Sequence, residues 1–317
     1  MKTRKKHLRK THNPSNKTID LVLLAVIMVV ATVLRLWKLD QVPFALMGIS
    51  SIYLIYLIGR QWFNRKVGLF SAAFFAVSQF TVFYSQLASP YSAGLFFVLL
   101  MAWFWHKIVF ETKKPKLGIY IGFAISAWAC SLIQYFSIAQ AGLIFLTGFF
   151  FLPKERRKAY WLSGIGAIVL WIIILTIFGH QQFNIDSIKF GLSAPKASFL
   201  TDFLQYTMNY STLFMFAVGI IILLPLILGK RDKSRNPLRW AGIAWFAIIF
   251  AIAFIYSLTR EPIIQYSTLI FSYPFLIIVA FSLFKNRTLS PWQNALVVAA
   301  ILFIGMNSLL MNRFITT

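Results

Sequence analysis

Residues 35–48 read RLWKLDQVPFALMG, and the way the chain passes through them decides the fold. On one side lies LVLLAVIMVVATVL (21–34), on the other ALMGISSIYLIYLIG (45–59), both almost free of charge. Runs of this kind, extended by their flanks, match the ~20 residues a helix needs to cross a ~30 Å hydrocarbon layer. The junction between them holds Arg35, Lys38 and Asp40 and has room only for a tight reversal. Two membrane-length helices running antiparallel through one short polar turn are the expected beginning of the fold.

The rest of the chain repeats that pattern. Only 12% of its 317 residues are charged and 59% are hydrophobic, against about 25% charged in soluble domains. Apolar runs near 19–37, 43–59, 67–84, 92–110, 117–133, 136–152, 159–178, 212–229, 239–258, 266–284 and 291–310 predict an all-α polytopic membrane protein. About eleven transmembrane helices lie between a basic tail (1–18) and a short C-terminal tail (311–317).

The net charge of +23 fits this architecture better than it fits nucleic acid. With the N-terminus inside, alternate connections place 25 of the 31 lysines and arginines on the cytoplasmic side. The outer side keeps Arg35, Lys38, Lys189, Lys196, Arg260 and Arg313, a strong positive-inside asymmetry. The same parity splits 117–152 into two spans turning near Gln134–Ser137. The basic N-terminus is too long and polar before its first apolar run to be a cleavable signal. One connection is long: 180–211 forms an outer loop in which Phe199, Leu200, Phe203, Leu204 and Thr207 keep helical spacing. A short helix over 198–210 follows, either lying in the membrane interface or capping the bundle.

Chemistry needs charge, and there are eight acids. Asp20, Glu111, Glu155 and Asp232 fall among cytoplasmic basic residues, where ordinary pairing explains them; Asp40, Asp186, Asp202 and Glu261 fall outside. No Asp, Glu, Lys or Arg sits near the middle of a run, which disfavours an ion-coupled carrier. The four histidines share no metal-ligand spacing, and Cys130 stands alone, so no histidine-based or thiolate metal site is expected. Gly118-x-x-x-Gly122 has the spacing of a close helix contact. The tryptophans and tyrosines, several near run ends, suit interfacial belts.

The stretch RLWKLD followed by ALMGISSIYLIYLIGRQWFNRKVGLFSAAFFAVSQFTVFYSQLASPYSAGLFF resembles the N-terminal half of the GT-C superfamily of membrane glycosyltransferases. It is most similar to the glycosyltransferase family 39 group, which includes relatives of protein mannosyltransferases. The likeness lies in Arg-Leu at the first outer edge, Gly-Arg closing the second helix, the inner turn Phe-Asn-Arg-Lys-x-Gly-Leu and the outer turn Tyr-Ser-Gln-x-Ala-x-Pro-Tyr. It implies a GT-C-like bundle that transfers a sugar from a polyprenyl-phosphate donor to an acceptor at the outer face of a bacterial cytoplasmic membrane. Such a reaction needs a carboxylate to take the acceptor proton and a cation to receive the departing phosphate. No cofactor is expected beyond the lipid-linked sugar as co-substrate, with a divalent metal left open.

Asp40 resembles the residue that begins the first outer loop in relatives, not their catalytic Asp, but it is the only plausible base near the usual place and so the candidate, with Asp186, Asp202 and Glu261 as substitutes. Arg260, Arg35, Lys189 and Lys196 are the candidate lipid-phosphate ligands, although each reads more readily as a headgroup anchor, and Gln86 and Tyr91 mark the substrate turn. The pattern also departs from the family. Members carry an acidic pair in a long first outer loop, and here that loop is reduced to the Arg35–Gly48 junction. Ser89 stands where relatives often have Arg. A family member without catalysis that binds a lipid carrier or partner is therefore the alternative, and a lipid or small-molecule transporter the third.

Overall fold

The computed structural model describes residues 14–36, 42–87, 90–111, 114–182, 194–228, 236–283 and 289–315. These residues form α-helices joined by turns and short 3-10 segments, with no strand among them. In chain order the helices are α1 (Pro14–Leu36), α2 (Val42–Trp62), α3 (Arg65–Val77), α4 (Gln79–Gln86), α5 (Tyr91–Val109), α6 (Leu117–Ile133) and α7 (Tyr135–Phe151). They continue with α8 (Arg157–Gln182), α9 (Phe199–Thr207), α10 (Thr212–Leu228), α11 (Pro237–Thr259), α12 (Tyr273–Phe281) and α13 (Pro291–Ile315). Each of the eleven apolar runs is helical. Among the described residues six helices are long and apolar enough to cross a membrane, or up to eight if each of two bent pairs is one span, against the eleven expected.

The centre of the bundle is α3. Its sequence VGLFSAAFFAV is apolar all round, and every residue from Val67 to Val77 is buried, as expected of a helix with no side facing the surroundings. Helices α1, α2, α12 and α13 pack around it. Small residues permit the closest approach: a Cβ on Gly68 would sit 2.4 Å from the carbonyl oxygen of Tyr56, and one on Gly59 would sit 2.8 Å from the Cα of Gly68. Because the obstacle is backbone, no side-chain rotation relieves it. Gly68→Ala is expected to destabilise the bundle by about 1–3 kcal/mol through forced separation of α2 and α3, read as a lowered thermal midpoint in detergent. Gly118-x-x-x-Gly122 forms no comparable seam. Gly118 faces open space, whereas Gly122 receives the ring of Phe104.

Two apolar runs are not continuous helices. The run 67–84 bends by 60° between α3 and α4, because Ser78 is extended at φ −72°, ψ 126° and its hydroxyl donates to the carbonyl of Thr207 at 2.8 Å. The run 266–284 starts as a 3-10 segment (Tyr266–Phe271) before α12. Pro274 in the first turn of α12 has no N–H to carry a helical bond backwards. The expected turn at Gln134 is a single extended residue between α6 and α7. Its tightness is secured by Ser137 Oγ, which donates to Cys130 O at 2.6 Å.

Tryptophan serves two purposes. Trp161, Trp240 and Trp292 are exposed, as a belt requires, whereas Trp62, Trp105 and Trp245 are buried against one another with ring centroids 5.1–6.4 Å apart. At the opposite end from α4, Asp20 accepts a 3.3 Å bond from Arg65, the ordinary pairing expected there.

Candidate functional site

The C-terminus of α1, the N-termini of α2 and α5, all of α4 and α9, and the segment 266–271 meet at one end of the bundle, here the upper end. Gln86 fastens α4 to α1 by donating from Nε2 to Leu34 O at 2.7 Å. Helix α9 turns its buried Phe203 onto Phe80 of α4 at 5.3 Å and onto Tyr273 at 5.1 Å. It therefore caps the bundle with one face while Thr201 and Gln205 stay exposed.

This end is rich in tyrosine. Tyr84 and Tyr91 meet edge to face at 5.0 Å, Tyr206 stacks on Tyr266 at 5.2 Å, and Tyr206 lies 5.8 Å from Tyr210. Tyr91, expected at the substrate turn, belongs to this cluster. The hydroxyl of Tyr210 is pushed above its usual range first by burial and then by the carboxylate of Asp202. Asp202 thus stands within electrostatic reach of the tyrosines, and it accepts a hydrogen bond from Ser198 Oγ at 2.9 Å. Of the two candidate acids among the described residues, Asp202 and Glu261, it is the one joined to other polar groups of this end. Glu261 is exposed just past α11, next to Arg260, which is also exposed and caps that helix. Lys196 is exposed before α9. Asp40, Asp186 and Lys189 lie outside the described residues. Among those described, no three His, Cys, Asp or Glu side chains group as a metal site would require.

Arg35 is placed differently from the other candidate cations. It is 1% exposed and turns into the protein, not toward the upper surface. Nη1 donates to Ala31 O at 3.3 Å and Ala76 O at 3.1 Å; Nη2 donates to Phe75 O at 3.0 Å and Thr81 Oγ1 at 3.2 Å. Phe75 and Ala76 end α3, and the bend at Ser78 deprives their carbonyls of continuing helical partners. A cation at a helix C-terminus also opposes the helix dipole favourably. The guanidinium is therefore committed to holding the bend.

A residue that sequence reasoning missed completes this clamp. Asn209 is fully buried, and its Nδ2 donates to Val77 O at 3.0 Å and has Gly305 O and Ser308 Oγ at 3.1 and 2.9 Å. Its Oδ1 accepts from the backbone N–H of Gln79. Asn209 and Tyr210 hold φ at 60° and 50°, a left-handed conformation that costs a non-glycine residue of order 1–2 kcal/mol. The signal available in sequence was the polar triplet Asn209-Tyr210-Ser211 breaking an otherwise helical pattern.

Helices of membrane-crossing length around a buried central helix, closed by a polar, tyrosine-rich end, define a polytopic integral membrane protein. The model of the dolichyl-phosphate-mannose-protein mannosyltransferase family matches residues 22–180, half of the chain, and the chain belongs to that family. Among solved structures it is similar to ArnT from Cupriavidus metallidurans in the apo state, with 13% identity and a TM-score of 0.54 over 87% of this chain. The likeness covers 49% of ArnT, so the chain spans about half the length of that relative, and at this identity it speaks for the fold alone. A search of curated proteins finds no match.

Proposed function

We propose that the chain is a membrane glycosyltransferase, moving a sugar from a polyprenyl-phosphate donor to an acceptor hydroxyl at the upper end of the bundle. Family membership carries this reading, and the polar upper end supports it. The charge asymmetry favours eleven crossings with the N-terminus inside, which puts that end on the outer face of the membrane. In the reaction the acceptor oxygen attacks the anomeric carbon and its proton passes to a carboxylate, while the bond to the phosphate oxygen breaks and the phosphate departs with the electron pair. Asp40, on the junction between Leu36 and Val42, is the first candidate for the base, and Asp202 is the alternative with polar neighbours. Arg260 and Lys196, exposed and uncommitted to the bend, suit the departing phosphate better than the buried Arg35.

The test is transfer from lipid-linked sugars in membranes carrying Asp40→Asn or Asp202→Asn. Loss of the base is expected to cost about 10²–10⁴-fold in turnover with little change in the amount of folded protein. Unchanged turnover in both variants removes both assignments. One observation favours a second reading, a non-catalytic member that binds a lipid carrier. Only 37–41 separate α1 from α2, where the resemblance calls for a long acidic loop. Carrier binding without any transfer would establish that reading.

A further inference from the structure

The corner where α9 gives way to α10 holds a pocket of about 150 Å³ lined by Gln205, Met208, Tyr210, Ser211, Thr212 and Met215. At ~30 Å³ per liquid water this is the space of about five waters, enough for one sugar ring and too little for two. The lining carries no charged side chain, so it suits a neutral ligand and offers nothing to a phosphate. An amide, two aliphatic hydroxyls and a phenol provide both donors and acceptors. Two thioethers and an aromatic ring provide apolar contact. Hydroxyls around the edge and C–H bonds on the face are the chemistry of a monosaccharide.

The backbone supports the same conclusion independently. Two consecutive non-glycine residues in the left-handed region persist only where the surroundings enforce them, and such strain gathers at functional positions. Here the enforcing contacts are those of buried Asn209, together with Tyr210 N donating to Gln205 O at 2.8 Å. Their result is that the Tyr210 side chain stands 56% exposed at the pocket, next to Tyr206 and within reach of Asp202. A turn relaxed to ordinary dihedrals would not present the ring there.

We propose that this corner binds a single neutral sugar ring, with Tyr210 as its stacking face and Gln205, Ser211 and Thr212 as its hydroxyl partners. The identification of that sugar as a reactant rests on the glycosyltransferase reading; the binding itself does not. The full chain in nanodiscs is titrated with methyl α-mannopyranoside, methyl β-glucopyranoside and, as an acyclic control, sorbitol, observed by saturation-transfer NMR. Saturable binding of at least one pyranoside over sorbitol is expected. It should be weakened about tenfold by Tyr210→Ala and kept by Tyr210→Phe. Should Tyr210→Ala fail to fold, Gln205→Ala with Thr212→Val, both at exposed positions, is expected to show the same loss. Absence of saturable binding, or binding indifferent to these substitutions, overturns the proposal. Pyranoside binding in a protein that transfers no sugar would uphold the pocket while removing the transferase reading. Turnover without Tyr210-dependent binding would do the reverse.

Discussion

Replacing Arg35 by Met is expected to lower the stability of the bundle by about 3–5 kcal/mol, seen as a sharp fall in thermal midpoint or as failure to accumulate in membranes. Four guanidinium hydrogen bonds disappear: Ala76 O at the end of α3 loses its donor, and Phe75 O keeps only Thr81 Oγ1. In an apolar interior each carbonyl left unpaired costs about 1–3 kcal/mol. The smaller side chain adds a packing defect next to the fully buried central helix. Arg35→Lys separates this role from phosphate binding. An ammonium keeps the charge but cannot span two adjacent carbonyls and Thr81 as the planar fork does, so a clamp loses much of its strength. If Arg35→Lys kept its thermal midpoint and only weakened capture of a lipid phosphate, the clamp assignment would be wrong.

Asn209→Ala is expected to destabilise by a similar amount, about 3–5 kcal/mol, from the other side of the same bend. Removing the amide orphans the Gln79 N–H and the Val77 carbonyl together, at about 1–3 kcal/mol each. Alanine must also adopt the left-handed dihedrals that asparagine tolerates better. Asn209→Gly keeps the hydrogen-bond loss but relieves the backbone, so it should recover about 1 kcal/mol relative to alanine. Equal melting of the two variants would show that the conformation of residue 209 is not strained. The Gly variant, where it folds, also frees Tyr210 from its fixed position and should weaken pyranoside binding.

Much of the architecture was legible because the membrane imposes a length rule on apolar sequence. Each run long enough to cross is helical, and the tight turn at Gln134 follows from charge parity on either side of it. The exceptions share one cause. At Ser78 the helix breaks inside an apolar run, and the run itself cannot show this. The serine and threonine there are compatible with a continuous helix until outside groups reward the bend. Those groups come from α1 and from the α9–α10 corner, distant in sequence. Trp62, Trp105 and Trp245 likewise read as belt residues near run ends, and only their mutual packing makes them core.

The candidate site divides in the same way. Sequence alone determined that the chain is a bundle of apolar helices, several of them long enough to cross a membrane, and that the junction after Arg35 is short. Each follows from local composition, which a hydrophobic solvent constrains residue by residue. Tertiary structure alone decided what the polar residues do. It turned Arg35 inward to the end of α3, placed Asp202 beside the tyrosines of α9 and 266–271, and set Tyr210 in the open on a strained turn held by Asn209. Whether a polar side chain is a ligand or a clamp depends on which backbone groups lie unsatisfied within its reach, and that is fixed only when distant helices come together.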